Sequence, residues 1–332
     1  MNVLSIDGVA IDAVYSCLPK RSEDNLARCA AVYGSEAKAL SIVRATGIKS
    51  RRVVDRGVTS LDLCVGAARA LLGDCKVAPD AVGAVICVTF TPARTMPCNA
   101  CQAQSRLGLP KDIVAFDVNL ACSGWAYGLF TAGMYAKATG KKVLLLDGDV
   151  QTPYVDQADA ATVPLMADAG TATLVAPDAK AASPWRFSFL TDGAKGDALT
   201  LPFGGAISMD GLGVFKFVTM DVLYFIRDFM AQVGVAPDEL DAFVPHQANV
   251  FMIEQIAKRL KFPSEKLWLS GDVFGNSASA TVPTTIAHCA PQGRDLRVLV
   301  SGFGGGLSAS VGIVELSAGC RYRVFDRLEN DQ

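Results

Sequence analysis

Three side chains stand where nucleophiles and hydrogen-bond donors do their work: Cys122, His246 and Asn276. Cys122 follows a strand-like run, Ala115 to Val118, and precedes a helix-like one, Ala126 to Met134, so its thiol falls at or near a helix N-terminus. Unpaired N–H groups and the helix dipole there favour thiolate over thiol, which predicts a nucleophile. A small buried core cysteine would have the same neighbours. His246, in Val244-Pro245-His246-Gln247-Ala248-Asn249, lies where a strand end meets a helix start, and its imidazole suits a base or a donor. Taken alone it is equally a capping or core histidine; the chain's other histidine, His288, lies late in a helical segment and reads as structural. Asn276 is flanked by Gly275 and Ser277 and can donate from its amide without adding charge, although by itself it would be an ordinary N-cap. The turn Ser301 to Ser310 holds Gly304-Gly305-Gly306, which can bare N–H groups to an oxyanion or a phosphate. No Gly-x-Gly-x-x-Gly with a following acid and no Gly-Lys-Ser/Thr occurs, so dinucleotide and P-loop readings are weak. A thiol, an imidazole, an amide and a glycine turn, each at a strand end, make a constellation for acyl transfer.

The elements that must hold these groups alternate strand with helix, which predicts an α/β chain with mixed, mostly parallel sheets. Strands are expected at Val9–Tyr15, Ala84–Phe90, Ala115–Val118 and Lys142–Asp147, with helices at Leu61–Leu72, Asn99–Leu107 and from Ala126 to about Thr139. The basic stretch Arg44 to Arg52 reads as a solvated loop. Past the polar stretch Ala176–Pro184 the order restarts: helix Thr219–Val233, strand Ala242–Pro245, helix Gln247–Leu260, the Asn276 turn with its helix, and strand Leu296–Val300. This divides the chain into residues 1–175, carrying the cysteine, and 176–332, carrying the histidine and asparagine. The Cys122 turn of one half then corresponds to the Asn276 turn of the other, and a pseudo-twofold would bring both to one crevice at the strand ends.

Composition removes several classes of function. The 332 residues are 51% hydrophobic, enough for a large core, with a net charge of −2 and no long basic run, so neither nucleic acid nor an anionic membrane is an expected partner. The first residues lack a signal-peptide pattern and no apolar run approaches the ~20 residues of a bilayer span, so a cytoplasmic protein is expected. Ten scattered cysteines fit reduced thiols better than a disulfide framework. The close pair Cys98 and Cys101 is a weak metal or redox signal, because zinc would need two further ligands, and no metal is expected.

Read together, Arg44-Ala45-Thr46-Gly47-Ile48, Phe116-Asp117-Val118, Ala121-Cys122-Ser123-Gly124, Val244-Pro245-His246-Gln247-Ala248-Asn249, Gly275-Asn276-Ser277 and Phe303-Gly304-Gly305-Gly306 resemble the ketoacyl-ACP synthase III group of the thiolase-fold condensing enzymes, through nearly the whole chain. The resemblance implies a five-layered α-β-α-β-α thiolase fold of duplicated halves, usually a homodimer. It implies that Cys122 takes an acyl group from acyl-ACP or acyl-CoA, with its own N–H and that of Gly305 holding the oxyanion. His246 and Asn276 would then stabilise the enolate left by decarboxylation of malonyl-ACP, and attack on the acyl-cysteine would give 3-oxoacyl-ACP with no cofactor. It further implies an acyl pocket involving Met96 and Phe303, Met96 closing that of the partner subunit, and docking of the acyl carrier protein on Lys216, Lys258 and Arg259.

The chain also departs from the pattern. Ser41 stands where the family has an adenine-stacking tryptophan, Ala160 where an arginine meets the adenine, and Ala45 where another arginine precedes the Thr-Gly-Ile. These losses make an acyl-ACP donor plausible in place of acyl-CoA. Phe251 replaces one basic docking position, and Ala167-Asp168-Ala169-Gly170-Thr171 replaces a Gly-Asp-Gly-Ala-Gly stretch. The alternatives are an acyltransferase that passes the acyl group to a hydroxyl or amine without decarboxylation, a papain-like protease sharing the order Cys, His, Asn, and a catalytically silent partner subunit. The protease reading needs asparagine to orient the histidine, whereas Asn276 stands at a separate turn.

Overall fold

The computed structural model describes residues 1–181 and 183–327. Ala182, within the polar stretch between the halves, and residues 328–332 lie outside the described residues. In chain order the first half runs β1 (Leu4–Ile6), β2 (Val9–Leu18), β3 (Ser22–Asp24), α1 (Asn25–Tyr33), α2 (Glu36–Thr46), β4 (Ser50–Arg52), α3 (Ser60–Asp74), β5 (Val82–Val88), α4 (Asn99–Arg106), β6 (Val114–Val118), α5 (Gly124–Thr139), β7 (Lys142–Val150) and β8 (Asp168–Pro177). The second runs β9 (Trp185–Thr191), β10 (Leu199–Thr200), β11 (Ser208–Met209), α6 (Gly211–Lys216), a π-type segment Phe217–Val222, α7 (Leu223–Val233), β12 (Ala242–Pro245), α8 (Val250–Arg259), α9 (Gly271–Phe274), α10 (Thr281–Cys289), β13 (Leu296–Gly304) and β14 (Ser308–Asp326).

Sheet pairing repeats between the halves. In the first, β2 and β8 are antiparallel, β8 and β7 antiparallel, and β7, β5 and β6 parallel. In the second, β9 and β14 are antiparallel, β14 and β13 antiparallel, β13 and β12 parallel, and Phe243 bridges in parallel to Leu267 where β6 would have its counterpart. The later residues of β14 pair in parallel with β2 and so join the two sets of strands.

Layering follows from which faces are apolar. α5 and α10 bury Trp125, Leu129, Val282 and Ile286 in one core with residues from both sets of strands, so they form the middle layer. α3 packs Leu63, Ala67 and Leu71 on the outer face of the first sheet, and α7 and α8 pack Phe229, Ile253 and Ile256 on that of the second. The result is the five-layered α-β-α-β-α order. β5 is buried along its length, as its unbroken apolar run requires.

Arg44 to Arg52 is not a solvated loop. Its first residues end α2, capped by Gly47, and Arg51 is buried in β4, where one guanidinium nitrogen donates to the Met166 carbonyl (2.7 Å) and another pairs with Glu23 (2.9 Å). A run of cations looks solvated until a carboxylate and a carbonyl from distant parts of the chain converge on one member of it.

Candidate active site

Cys122 lies in the turn between β6 and α5, one residue before the N-cap Ser123, and is buried. Its thiol lines a cavity of about 570 Å³ shared with His246, Asn276, Phe303 and Gly304–Gly306. The glycine turn closes directly on the sulfur: a Cβ at Gly304 would stand 2.9 Å from Cys122 Sγ, so a side chain there is excluded. Contrary to the expectation of a thiolate, burial pushes the Cys122 thiol up to about 12, and the charges of Asp149 and Asp147 add to the rise. The N–H groups of Cys122 and Gly305 pull the other way without overcoming it. Position before a helix supplies N–H groups, but dry surroundings with two buried acids on β7 cost a thiolate more.

His246 follows β12 and is buried, its own N–H donating to the Ser301 carbonyl (2.7 Å) and its ring meeting Phe303 edge to face at 5.4 Å. Burial lowers the imidazole to about 3, so the ring is neutral. Nδ1 lies 2.7 Å from Thr281 Oγ1, whose single proton also has the Ala278 carbonyl within reach at 2.8 Å. The ring therefore offers Nε2 to the cavity as an acceptor when Thr281 donates to Ala278, and as a donor when Thr281 donates to Nδ1.

Asn276 is fixed on both sides of its amide plane and backbone. Its Oδ1 accepts from the Ala278 N–H (3.0 Å), which leaves Nδ2 as the donor available to the cavity. Its backbone N–H donates to Leu165, and its carbonyl accepts from the Ala167 N–H and from Gln151. Gly275 before it has φ 80°, and a Cβ there would meet that of Ala167 at 2.7 Å, so the turn requires glycine.

Other predicted residues divide. Gly305 and Phe303 line the cavity. Met96 does not: it is 84% exposed on the loop between β5 and α4. Lys216 ends α6 directly after Phe215, a cavity residue, and Lys258 and Arg259 are exposed in the last turn of α8, whose Met252 also lines the cavity. Ser41 and Ala160 are exposed and offer neither ring nor cation, and His288 packs on Phe274 away from the site. Cys98 is the N-cap of α4, Cys101 is in its first turn, and both thiols are free.

Sequence reading missed Gln151, Thr281 and the acids Asp147 and Asp149. Asp149 Oδ1 accepts from the hydroxyls of Thr89 and Thr91 and the N–H groups of Phe90 and Thr91, tying β7 to the end of β5. Two aspartates inside an apolar strand run were the available signal, since buried carboxylates are rare without a task.

Two family models match the chain: 3-Oxoacyl-[acyl-carrier-protein (ACP)] synthase III over residues 116–193, and its C-terminal counterpart over residues 230–316. A Beta-ketoacyl-[acyl-carrier-protein] synthase III from Nitratidesulfovibrio vulgaris is 35% identical over 289 residues, 80% of this chain and 87% of the relative. The crystal structure of a 3-oxoacyl-(acyl-carrier protein) synthase from Burkholderia xenovorans superposes with a TM-score of 0.93 at 26% identity, covering 98% of this chain and 99% of that one. The priming beta-ketosynthase of the R1128 polyketide pathway superposes with a TM-score of 0.84 at 27% identity, covering 96% and 98%.

Proposed function

The chain belongs to the 3-oxoacyl-ACP synthase III family of thiolase-fold condensing enzymes, acyl-transferring by class, and from that footing we propose the roles of its residues and its substrates. Cys122 takes an acyl group from an acyl-ACP. Thioester attack places negative charge on the carbonyl oxygen, which the N–H groups of Cys122 and Gly305 receive. The Cys122 proton leaves with the carrier thiol. Malonyl-ACP then enters the same cavity, and its thioester carbonyl takes hydrogen bonds from Asn276 Nδ2 and from His246 Nε2 in the donor form set by Thr281. Carbon dioxide departs and the enolate held by two neutral donors attacks the acyl-cysteine; the Cys122–acyl bond breaks, the expelled thiolate takes up a proton from solvent, and 3-oxoacyl-ACP forms. Each charge is met by a protein group, so the cycle uses no cofactor.

The observation that carries this reading is the convergence of Cys122, His246, Asn276 and Gly304–Gly306 on one cavity, from both halves of the chain. ACP as the donor's carrier is supported by Ser41 and Ala160, exposed residues whose own side chains offer neither ring nor cation, and ACP docking by exposed Lys216, Lys258 and Arg259 beside the cavity mouth. We also propose a homodimer in the cytoplasm. Support comes from Met96, exposed on its loop, and from β6, an edge strand whose Val114, Phe116 and Val118 are only partly covered. No helix among the described residues is long and apolar enough to cross a membrane.

Intact-mass measurement after incubation with matched acyl-ACP and acyl-CoA donors, followed by addition of ¹⁴C-carboxyl malonyl-ACP, tests the proposal. A mass gain from ACP donors, lost in Cys122→Ala, and release of labelled carbon dioxide with consumption of the acyl-enzyme are expected. Acyl-enzyme that persists without carbon dioxide release would overturn the decarboxylating reading in favour of transfer to a hydroxyl or amine.

A further inference from the structure

Gln151 follows β7 and is 2% exposed, yet it lines the cavity that holds Cys122. Its Nε2 donates to the Ala167 carbonyl (2.9 Å) and the Asn276 carbonyl (2.5 Å), which occupies both amide protons. Turning the amide over would set its oxygen against those two carbonyl oxygens, so its orientation is fixed. Oε1 is left with two lone pairs and no hydrogen-bond partner among the described residues. Apolar side chains share the wall of this cavity with it, among them Phe90, Leu165, Met166 and Ile207. A cavity with apolar side chains in its wall and a fixed, unpaired amide oxygen can orient a donor on what it binds.

Resting on the condensing-enzyme reading, we propose that Gln151 reads a hydroxyl on the acyl group loaded onto Cys122, so that the primer is a hydroxyacyl thioester rather than a plain alkyl one. A hydroxyl donates to Oε1 and leaves the amide satisfied. An alkyl chain of the same length covers Oε1 and leaves a buried acceptor dry, a penalty on the order of ten- to a hundredfold in rate. Since Gln151 also holds the Asn276 carbonyl, the step that isolates its effect on selectivity is acylation, which this mechanism assigns to Cys122 and not to Asn276.

The test is the single-turnover rate of acyl-enzyme formation, read by intact mass, with 2-hydroxybutyryl-, 3-hydroxybutyryl-, 4-hydroxybutyryl- and butyryl-ACP. At least one hydroxybutyryl donor is expected to load about tenfold or more faster than butyryl. In Gln151→Leu the ratio is expected to fall to about one, through slower hydroxyacyl loading relative to butyryl. Equal wild-type rates for all four donors would overturn the assignment whatever the variant does, and so would a preference that survives in Gln151→Leu. Loading without selectivity sinks only the hydroxyl assignment, whereas no loading from any donor sinks the condensing reading on which it rests.

Discussion

Cys122 and His246 are both neutral at rest, and that sets how the enzyme responds to pH. With the thiol pushed up to about 12, the thiolate fraction grows tenfold per pH unit throughout the neutral range. Iodoacetamide inactivation, followed by residual condensing activity, should therefore steepen from pH 7 to 9 with no plateau; a plateau near pH 7 would show an activated thiolate instead. His246, lowered to about 3, gives no titration between pH 5 and 8, so an acid limb in decarboxylation over that range cannot come from its ring. Removing either donor to the enolate should cost about 10²–10³ in rate. His246→Ala and Asn276→Ala should each lose that much carbon dioxide release while still gaining acyl mass, and a variant that decarboxylates normally but does not acylate would reverse the roles assigned.

The turns that present these side chains are held by groups remote in sequence, and this is where sequence reading reached its limit. Strand and helix candidates were legible because β5 is a short run of apolar and small residues rich in valine and isoleucine, and α3 carries apolar residues at helical spacing. The restart of the pattern past residue 176 could be read as well, and the repeated strand pairing now gives it a physical form. Cys122, His246, Asn276 and Gly305 could be singled out as candidates because a thiol, an imidazole, an amide and a glycine turn each sit at a strand end, and the structure brings them to one cavity. What could not be read was the support, since it exists only once distant segments meet: Arg51 beneath Met166, Gln151 on the Asn276 carbonyl, Thr281 on His246. Arg51→Met should leave the Met166 carbonyl without its donor and Glu23 with Arg21 alone, and cost about 1–3 kcal/mol, measured as a lower urea midpoint at unchanged m. Asp149 is a second support with a pH signature. Burial raises its carboxyl from 3.8 to about 7, so the folded state holds a proton that the unfolded state has lost. Stability should then fall as pH climbs from about 4 to about 7, because the native state binds more protons across that window. Burial raises the carboxyls of Asp147 and Asp168 too, so Asp149→Asn, which keeps an oxygen for the Thr89 and Thr91 bonds, should lessen that decline in urea unfolding without abolishing it, and a slope unchanged from wild type would mean that Asp149 does not titrate there.

At the scale of the whole molecule, the two halves contribute unequally: the first brings Cys122 and Gln151 to the cavity, while the second brings His246, Asn276, the glycine turn and the face around the cavity mouth. That face combines exposed cations with exposed apolar side chains, Lys216, Lys258 and Arg259 beside Leu212, Phe215 and Phe251. Phe215 belongs both to the cavity and to a shallow groove that Phe251 and Arg259 share, so whatever docks there sits over the entrance. A chain of net charge −2 has no global field to draw in an acidic carrier protein, which leaves steering to this local patch and orientation to its apolar contacts. Local steering by a few exposed charges is screened within about 10 Å at 0.1 M salt. Turnover of malonyl-ACP should therefore fall with ionic strength through KM rather than kcat, while turnover of a malonyl thioester of N-acetylcysteamine, which carries no protein, should not follow it. Lys258→Glu with Arg259→Glu should lower the ratio of ACP-borne to acetylcysteamine-borne turnover about tenfold and remove most of the salt dependence. Equal losses on both substrates would mean that the double change disturbs α8 and the cavity wall rather than docking. Salt dependence that persists in the double variant would place the carrier protein on another face.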